Sequence, residues 1–388
     1  AIAAGTLVLT AGFKTTEWIA RTGAGKADRF NAPAMILLLA ASVGFEQAAG
    51  VPVAVRELAR DVRVPGLNRQ DQEMMQRGYY EKLTKVNRFN SQLWEVYAGQ
   101  GRAAPPEIRR PTGDFQGLEN IPLLGVTYKG QPLRTNRWGM RDKDYEKEPP
   151  PDTFRIALMG ASYVMGSGVG DGETFEWVLE DRLNAEADSA GTERVEILNF
   201  AVGTLSSAQQ LFLLRKSVLE FQPDAVMLVC PATDADLFAR LLFRTREEGV
   251  EIPYPFLRDL VDSLGVTAGT DEDEAIRRLQ PVRGRLVQWV YREFADECRA
   301  HDIEPLWVFL TLPGRTPEPA LIDEQIEAAT AAGFTVFDLR NVYHGYDPKA
   351  LQVAPWDWHP NPVGHRVIAE RLERRLKERG VLPGSGAG

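Results

Sequence analysis

The chain has 388 residues, 44% of them hydrophobic, which is ample for a buried core and too long for one small domain. Its 54 acidic residues outnumber the 45 basic ones, for a formal net charge of -9, and no basic block is interleaved with aromatics. That balance excludes the electrostatic footprint of a nucleic-acid-binding protein. The two cysteines, Cys230 in an apolar strand-like run and Cys298 in a helical stretch, rule out a CxxC metal or redox pattern and are expected to be buried free thiols.

The chain opens on Ala1 rather than Met, as a sequence does that begins after processing or after an upstream part. Ala1 to Phe13 carries no charge, and Phe30 to Phe45 (FNAPAMILLLAASVGF) is a second apolar run, closed by Glu46. Each is shorter than the roughly 20 residues needed to cross a bilayer upright, so residues 1–60 read either as buried or interfacial helices or as a membrane anchor. Gly23, Gly25 and Lys26 lack the spacing and the Ser/Thr of a phosphate-binding loop and mark a turn. Residues 61–150 are expected to pack on the main domain as a helical and extended linker. Tyr79, Tyr80, Phe89, Trp94 and Tyr97 lie in charged, helix-compatible sequence, whereas Gly101 to Pro151 is rich in Pro, Gly and polar residues and reads as extended.

From Phe154 the pattern alternates, and residues 151–382 are expected to form the main domain. Runs suited to buried parallel strands occur at Phe154 to Met159, Val195 to Phe200, Ala225 to Cys230, Leu306 to Leu310 and Phe334 to Leu339. Helix-length segments separate or follow them at Thr174 to Ala187, Ser206 to Glu220, Asp271 to Ala300 (broken near Pro281), Pro319 to Ala332 and Val363 to Glu378. This order predicts an α/β fold, a doubly wound parallel sheet with helices on both faces and ligands at the carboxyl ends of the strands. Leu237 to Thr270 is long for a connection and reads as an insertion near that site. The Gly/Ser-rich tail, residues 383–388, reads as disordered.

Gly160-Ala161-Ser162 follows the first of these runs, which places a hydroxyl at the carboxyl end of a strand, beside a helix start whose N–H groups can stabilise an oxyanion. A serine there also serves as a plain helix cap, so it needs a partner. Histidine is scarce, with four in the chain. His301 sits at a charged helix end and His344 in a turn, while His359 lies in Asp357-Trp358-His359-Pro360-Asn361, just before an amphipathic helix. An Asp two residues before a His in a loop can hold the imidazole by its Nδ1 proton and leave Nε2 free for Ser162. The same residues could merely cap the last helix, and His365 is expected to pack against the sheet. A His359/His365 metal pair has neither helical ligand spacing nor a zinc pattern. Gly166, Gly168, Gly170 and Gly172 lack the spacing of a dinucleotide loop and read as a flexible loop beside Ser162.

The run RIALMGASYVMGSGVGDGETF resembles the first block of the SGNH/GDSL hydrolases, VEILNFAVGTLSSAQQL the second, and DWHPNPVGHRVIAERL the last, with PDAVMLVCPATDAD where the third is expected. Asn136, Gly139 and Arg141 are similar to the lead-in of a membrane-linked bacterial branch, so the likeness runs from about Thr135 to Leu376. It implies a flavodoxin-like sheet, Ser162 as nucleophile, His359 as general base and then acid, and Asp357 as its orienter. It further implies a carboxylic ester substrate, either a small acyl ester or a cell-envelope component, an acyl-enzyme intermediate, and no cofactor or metal. Three positions depart from the family pattern. Ala161 stands where the family has Asp, Thr204 falls on the second-block glycine with Gly203 one place early, and Thr233 stands where the family has the Asn that donates to the oxyanion. Gly203, Thr204 and Thr233 are therefore the oxyanion candidates. Loss of one such donor typically costs about 2.7–4 kcal/mol. Three functions stay open: a membrane-associated, extracytoplasmic serine esterase; an accessory or structural subunit of a membrane complex that keeps the fold, has lost most catalysis and docks through residues 1–100; or an acyltransferase using the same nucleophile.

Overall fold

The computed structural model describes residues 107–383. The expectations for residues 1–60, for residues 61–106 and for the tail beyond residue 383 lie outside the described residues.

The described chain begins with two short antiparallel ribbons, β1 (Arg109–Pro111) with β2 (Leu118–Asn120), and β3 (Gly125–Tyr128) with β4 (Gln131–Arg134). The segment read as merely extended is thus paired. The second ribbon closes through Lys129 and Gly130, whose φ angles are 50° and 80°. Two residues of positive φ are what a two-residue hairpin loop requires to match the twist of its strands.

The main domain follows as β5 (Thr153–Met159), α1 (Ser162–Met165), α2 (Phe175–Ala190), β6 (Arg194–Asn199), α3 (Ser207–Lys216), β7 (Ala225–Cys230), α4 (Asp234–Glu247), α5 (Pro255–Ser263), α6 (Glu272–Leu279), α7 (Arg283–Ala300), β8 (Glu304–Leu310), α8 (Pro319–Ala332), β9 (Thr335–Leu339), β10 (Gln352–Ala354), β11 (Asp357–Pro360) and α9 (Pro362–Glu378). Strands β5 to β9 form one parallel sheet in the order β6-β5-β7-β8-β9. They are the five apolar runs of the sequence, and the order is that of a flavodoxin-like, doubly wound fold.

Because successive strand residues face opposite sides, each strand feeds two cores. Ala157, Met159, Val226, Leu228, Trp307 and Phe309 pack with α3, α4, α7 and α8, whereas Ile156, Leu158, Met227, Val229, Leu306 and Val308 pack with α2 and α9. Cys230 and Cys298 are buried free thiols. Most of Leu237 to Thr270, read as an insertion, is α4 and α5, and Phe238, Leu241 and Leu242 turn one face of α4 into the core at helical spacing. Asn361 starts α9 by accepting the N–H groups of Val363 and Gly364, both at 3.0 Å, with Pro362 in the first turn. Among the described residues no helix is long and apolar enough to cross a membrane.

Candidate active site

The sheet leaves Ser162 directly past β5, the strand flanked by β6 and β7, where the chain order reverses and α/β folds open a crevice. A Cβ on Gly160 would lie 2.5 Å from Val164 Cγ2, so glycine is what lets the chain turn this tightly into α1. Ala161 is the N-cap and Ser162 the first helical residue, buried with 8% exposure.

This helix of one turn is braced from outside. The Arg141 guanidinium donates to the carbonyls of Met165, at 3.2 Å, Gly166 and Val169, and Asn199 Nδ2 donates to Val164 O at 3.2 Å. Asn136 shapes the loop that delivers Arg141, its Oδ1 accepting the N–H groups of Trp138 and Met140. The glycine-rich stretch beside Ser162 is therefore not the free loop its composition implied. Residues Gly166 to Gly170 are buried, and a Cβ on Gly168 would lie 2.7 Å from Val353 Cγ2.

Asp357 and His359 stand on β11, which pairs antiparallel with β10, not in a loop as expected. The strand explains the two-residue spacing, since residues i and i+2 share a face. His359 Nε2 lies 2.9 Å from Ser162 Oγ, and Nδ1 contacts Asp357 Oδ1, which also accepts the His359 backbone N–H at 3.2 Å. A carboxylate accepts, so Nδ1 carries the proton and Nε2 presents a lone pair to the hydroxyl. Burial lowers the His359 pKa to about 3, which keeps the ring unprotonated across the ordinary pH range, with the Nε2 lone pair free.

The second oxygen of Asp357 reveals a residue the sequence reading missed. Lys129 Nζ, at the tip of the β3–β4 ribbon, lies 2.6 Å from Asp357 Oδ2, both side chains almost fully buried. The available signal was the Lys129-Gly130 pair between two short extended runs, which marks a turn and says nothing of the turn's neighbour.

The oxyanion candidates separate. The backbone at Gly203 runs beside the nucleophile, for a Cβ there would lie 3.6 Å from Ser162 Cβ. Thr204 holds a left-handed φ of 76° with its hydroxyl on Gly203 O, and neither residue's N–H has a hydrogen-bond acceptor among the described residues. Arg109 Nη1 donates to Gly203 O at 3.3 Å. Thr233 is instead the N-cap of α4, its hydroxyl buried without a described partner and making no hydrogen bond to Ser162. The next residue, Asp234, accepts Ser207 N–H at 2.9 Å and so ties α3 to α4. His365, on α9 and buried, meets α2: Nδ1 accepts the Phe175 N–H at 3.0 Å and the ring stacks on Phe175. His301 and His344 are exposed.

Behind the site, Asp142, Glu176 and Glu180 gather around Asn199 and Tyr145, with Lys143 Nζ 2.5 Å from Glu180 as the close cation. Burial, reinforced by the neighbouring carboxylates, raises Asp142 well above the usual range and raises Glu176 to about 7. A carboxyl group whose pKa is higher folded than unfolded stabilises the fold below its ordinary value, and that stability is lost as pH rises through about 7. Glu176→Gln should therefore raise Tm at pH 8 by several degrees, on the order of 1–3 kcal/mol, and leave it unchanged or lower at pH 4.5. A Tm difference independent of pH would show that Glu176 does not hold its proton in the fold.

No protein-family model and no curated protein matches the chain. Solved structures similar to it include TesA, at 15% identity and TM-score 0.38 over 58% of this chain and 98% of that one. The esterase EstA from Pseudoalteromonas sp. matches at 12% identity and TM-score 0.36 over 59% of this chain and 99% of that one. The lipase/acylhydrolase from Enterococcus faecalis matches at 16% identity and TM-score 0.36 over 61% of this chain and 100% of that one. At these identities and TM-scores they carry no weight for function.

Proposed function

We propose that the chain is a serine ester hydrolase of the SGNH/GDSL type that cleaves a carboxylic ester through an acyl-enzyme. The observation that carries this reading is the 2.9 Å contact of His359 Nε2 with Ser162 Oγ, with Nδ1 held by Asp357. His359 takes the Ser162 proton as Oγ bonds to the ester carbonyl carbon, and the carbonyl oxygen becomes an oxyanion facing the start of α1 and the Gly203 and Thr204 N–H groups. As the intermediate collapses, His359 returns the proton to the departing alcohol. Water then repeats the sequence on the acyl-enzyme and releases the acid. The departure at Thr233 removes a side-chain donor, and the Gly203 backbone, which runs beside Ser162, supports stabilisation of the oxyanion without it. Reaction of the purified protein with a fluorophosphonate, followed by identification of the labelled residue, tests the reading. Labelling at Ser162 is expected, and labelling elsewhere or nowhere overturns it.

Attachment to a membrane or membrane-protein complex through residues 1–100, on the extracytoplasmic side, belongs to the same proposal and is supported by the uncharged runs Ala1 to Phe13 and Phe30 to Phe45. The full chain should sediment with liposomes, and the chain lacking residues 1–46 should stay in the supernatant. A full chain that ignores liposomes and is monomeric without detergent refutes the attachment.

A further inference from the structure

We propose that Lys129 is a positioning residue of this site, an ammonium that clamps the outer oxygen of Asp357 so that the inner oxygen holds His359 toward Ser162. The inference rests on the hydrolase reading for its catalytic meaning and on the geometry alone for its physical content. Asp357 divides its two oxygens cleanly: Oδ1 serves the Nδ1 and backbone N–H of His359, and Oδ2 serves Lys129 Nζ at 2.6 Å. A carboxylate held by one oxygen alone can swing about its Cβ–Cγ bond, whereas one held at both ends cannot.

The place from which the lysine reaches is telling. Lys129 sits at the first central position of a two-residue hairpin loop, where the left-handed φ of 50° favours Asn, Asp or Gly. Turn chemistry thus gives no reason for lysine. Nor does solvation, because the side chain is 2% exposed and an ammonium is costly to bury without an anion. The Asp357 carboxylate is what meets that cost. Burial pulls the Lys129 pKa down, and the neighbouring carboxylate more than restores it, so the amine stays charged.

The clamp also changes what His359 experiences. In a bare Asp-His pair the full carboxylate charge favours the imidazolium. Here a second charge lies on the far side of that carboxylate, at 2.6 Å from Oδ2, and offsets it. The other charged or titratable groups around His359 are His365 on α9, itself neutral through burial, Arg141 beyond it, and Arg109 and Tyr128 on the ribbons, near Lys129. None of them takes a hydrogen bond place on Asp357.

Lys129→Met and Lys129→Gln, in the full chain, test the clamp. Both variants should move the His359 imidazole titration, followed by NMR of ring protons, upward from about 3 toward the ordinary histidine range. The acid limb of kcat/KM should move with it. At pH 7 kcat should fall roughly 100-fold with KM little changed, as expected for a displaced catalytic group. Gln keeps a donor without the charge, so it should recover part of kcat while its titration stays shifted. If the wild type neither hydrolyses esters nor reacts with the fluorophosphonate, the hydrolase reading falls, and the titration still decides what Lys129 does. An unchanged His359 titration in both variants, or in the Gln variant should the Met variant not fold, overturns the proposal.

Discussion

Ser162→Ala is expected to lower kcat for a short p-nitrophenyl ester by about 10⁴-fold or more and to abolish fluorophosphonate labelling, while leaving Tm within about 1 °C of the wild type. The first figure follows from the way such groups act together: without the nucleophile, His359 and Asp357 have nothing to activate, and what remains is binding and charge stabilisation. The second follows from what fixes the turn. Ser162 Oγ meets His359 Nε2, and the α1 turn is fixed by Gly160, Arg141 and Asn199 through backbone atoms that alanine retains. Activity lost together with Tm would mean that Ser162 is a structural cap. Undiminished hydrolysis would place any activity at another site.

The fold was legible in the sequence because parallel strands buried on both faces need continuous apolar runs, and these runs sit between helix-length segments. Ala225 to Cys230 and Pro319 to Ala332 have the bounds the pattern predicts, since Pro319 marks a helix start and Gly333 its end. Ser162, His359 and Asp357 were legible as candidates because few histidines compete and the Asp-x-His spacing carries a geometric meaning. That β11 is a strand was not legible: four residues ending in a proline are too few to establish a period, and it is the pairing with β10 that makes the strand. The ribbons were hidden for the same reason. Three- and four-residue strands have too few residues for a period, and the partner, not the propensity, makes them. Lys129 was out of reach because nothing local records that residue 129 meets residue 357.

Asp357→Asn should lower kcat about 10⁴-fold and also destabilise the fold, by about 3–5 kcal/mol, and the two losses should be separable. The amide has one accepting and one donating end, whereas Asp357 accepts at both, from His359 and from Lys129. If its oxygen faces the ammonium, as the charge demands, its NH₂ faces Nδ1, and His359 must carry its proton on Nε2. That tautomer cannot accept the Ser162 proton. The ammonium has meanwhile lost its counter-ion in a site of 2% exposure, which is the source of the instability. Asp357→Asn combined with Lys129→Met removes the unpaired charge, so the double variant should regain most of the stability in urea unfolding. It should regain little of kcat, because the imidazole is still without an anionic orienter. A double variant no more stable than Asp357→Asn would show that the buried pair does not set the stability. A single variant within tenfold of wild-type kcat would remove Asp357 from the reaction.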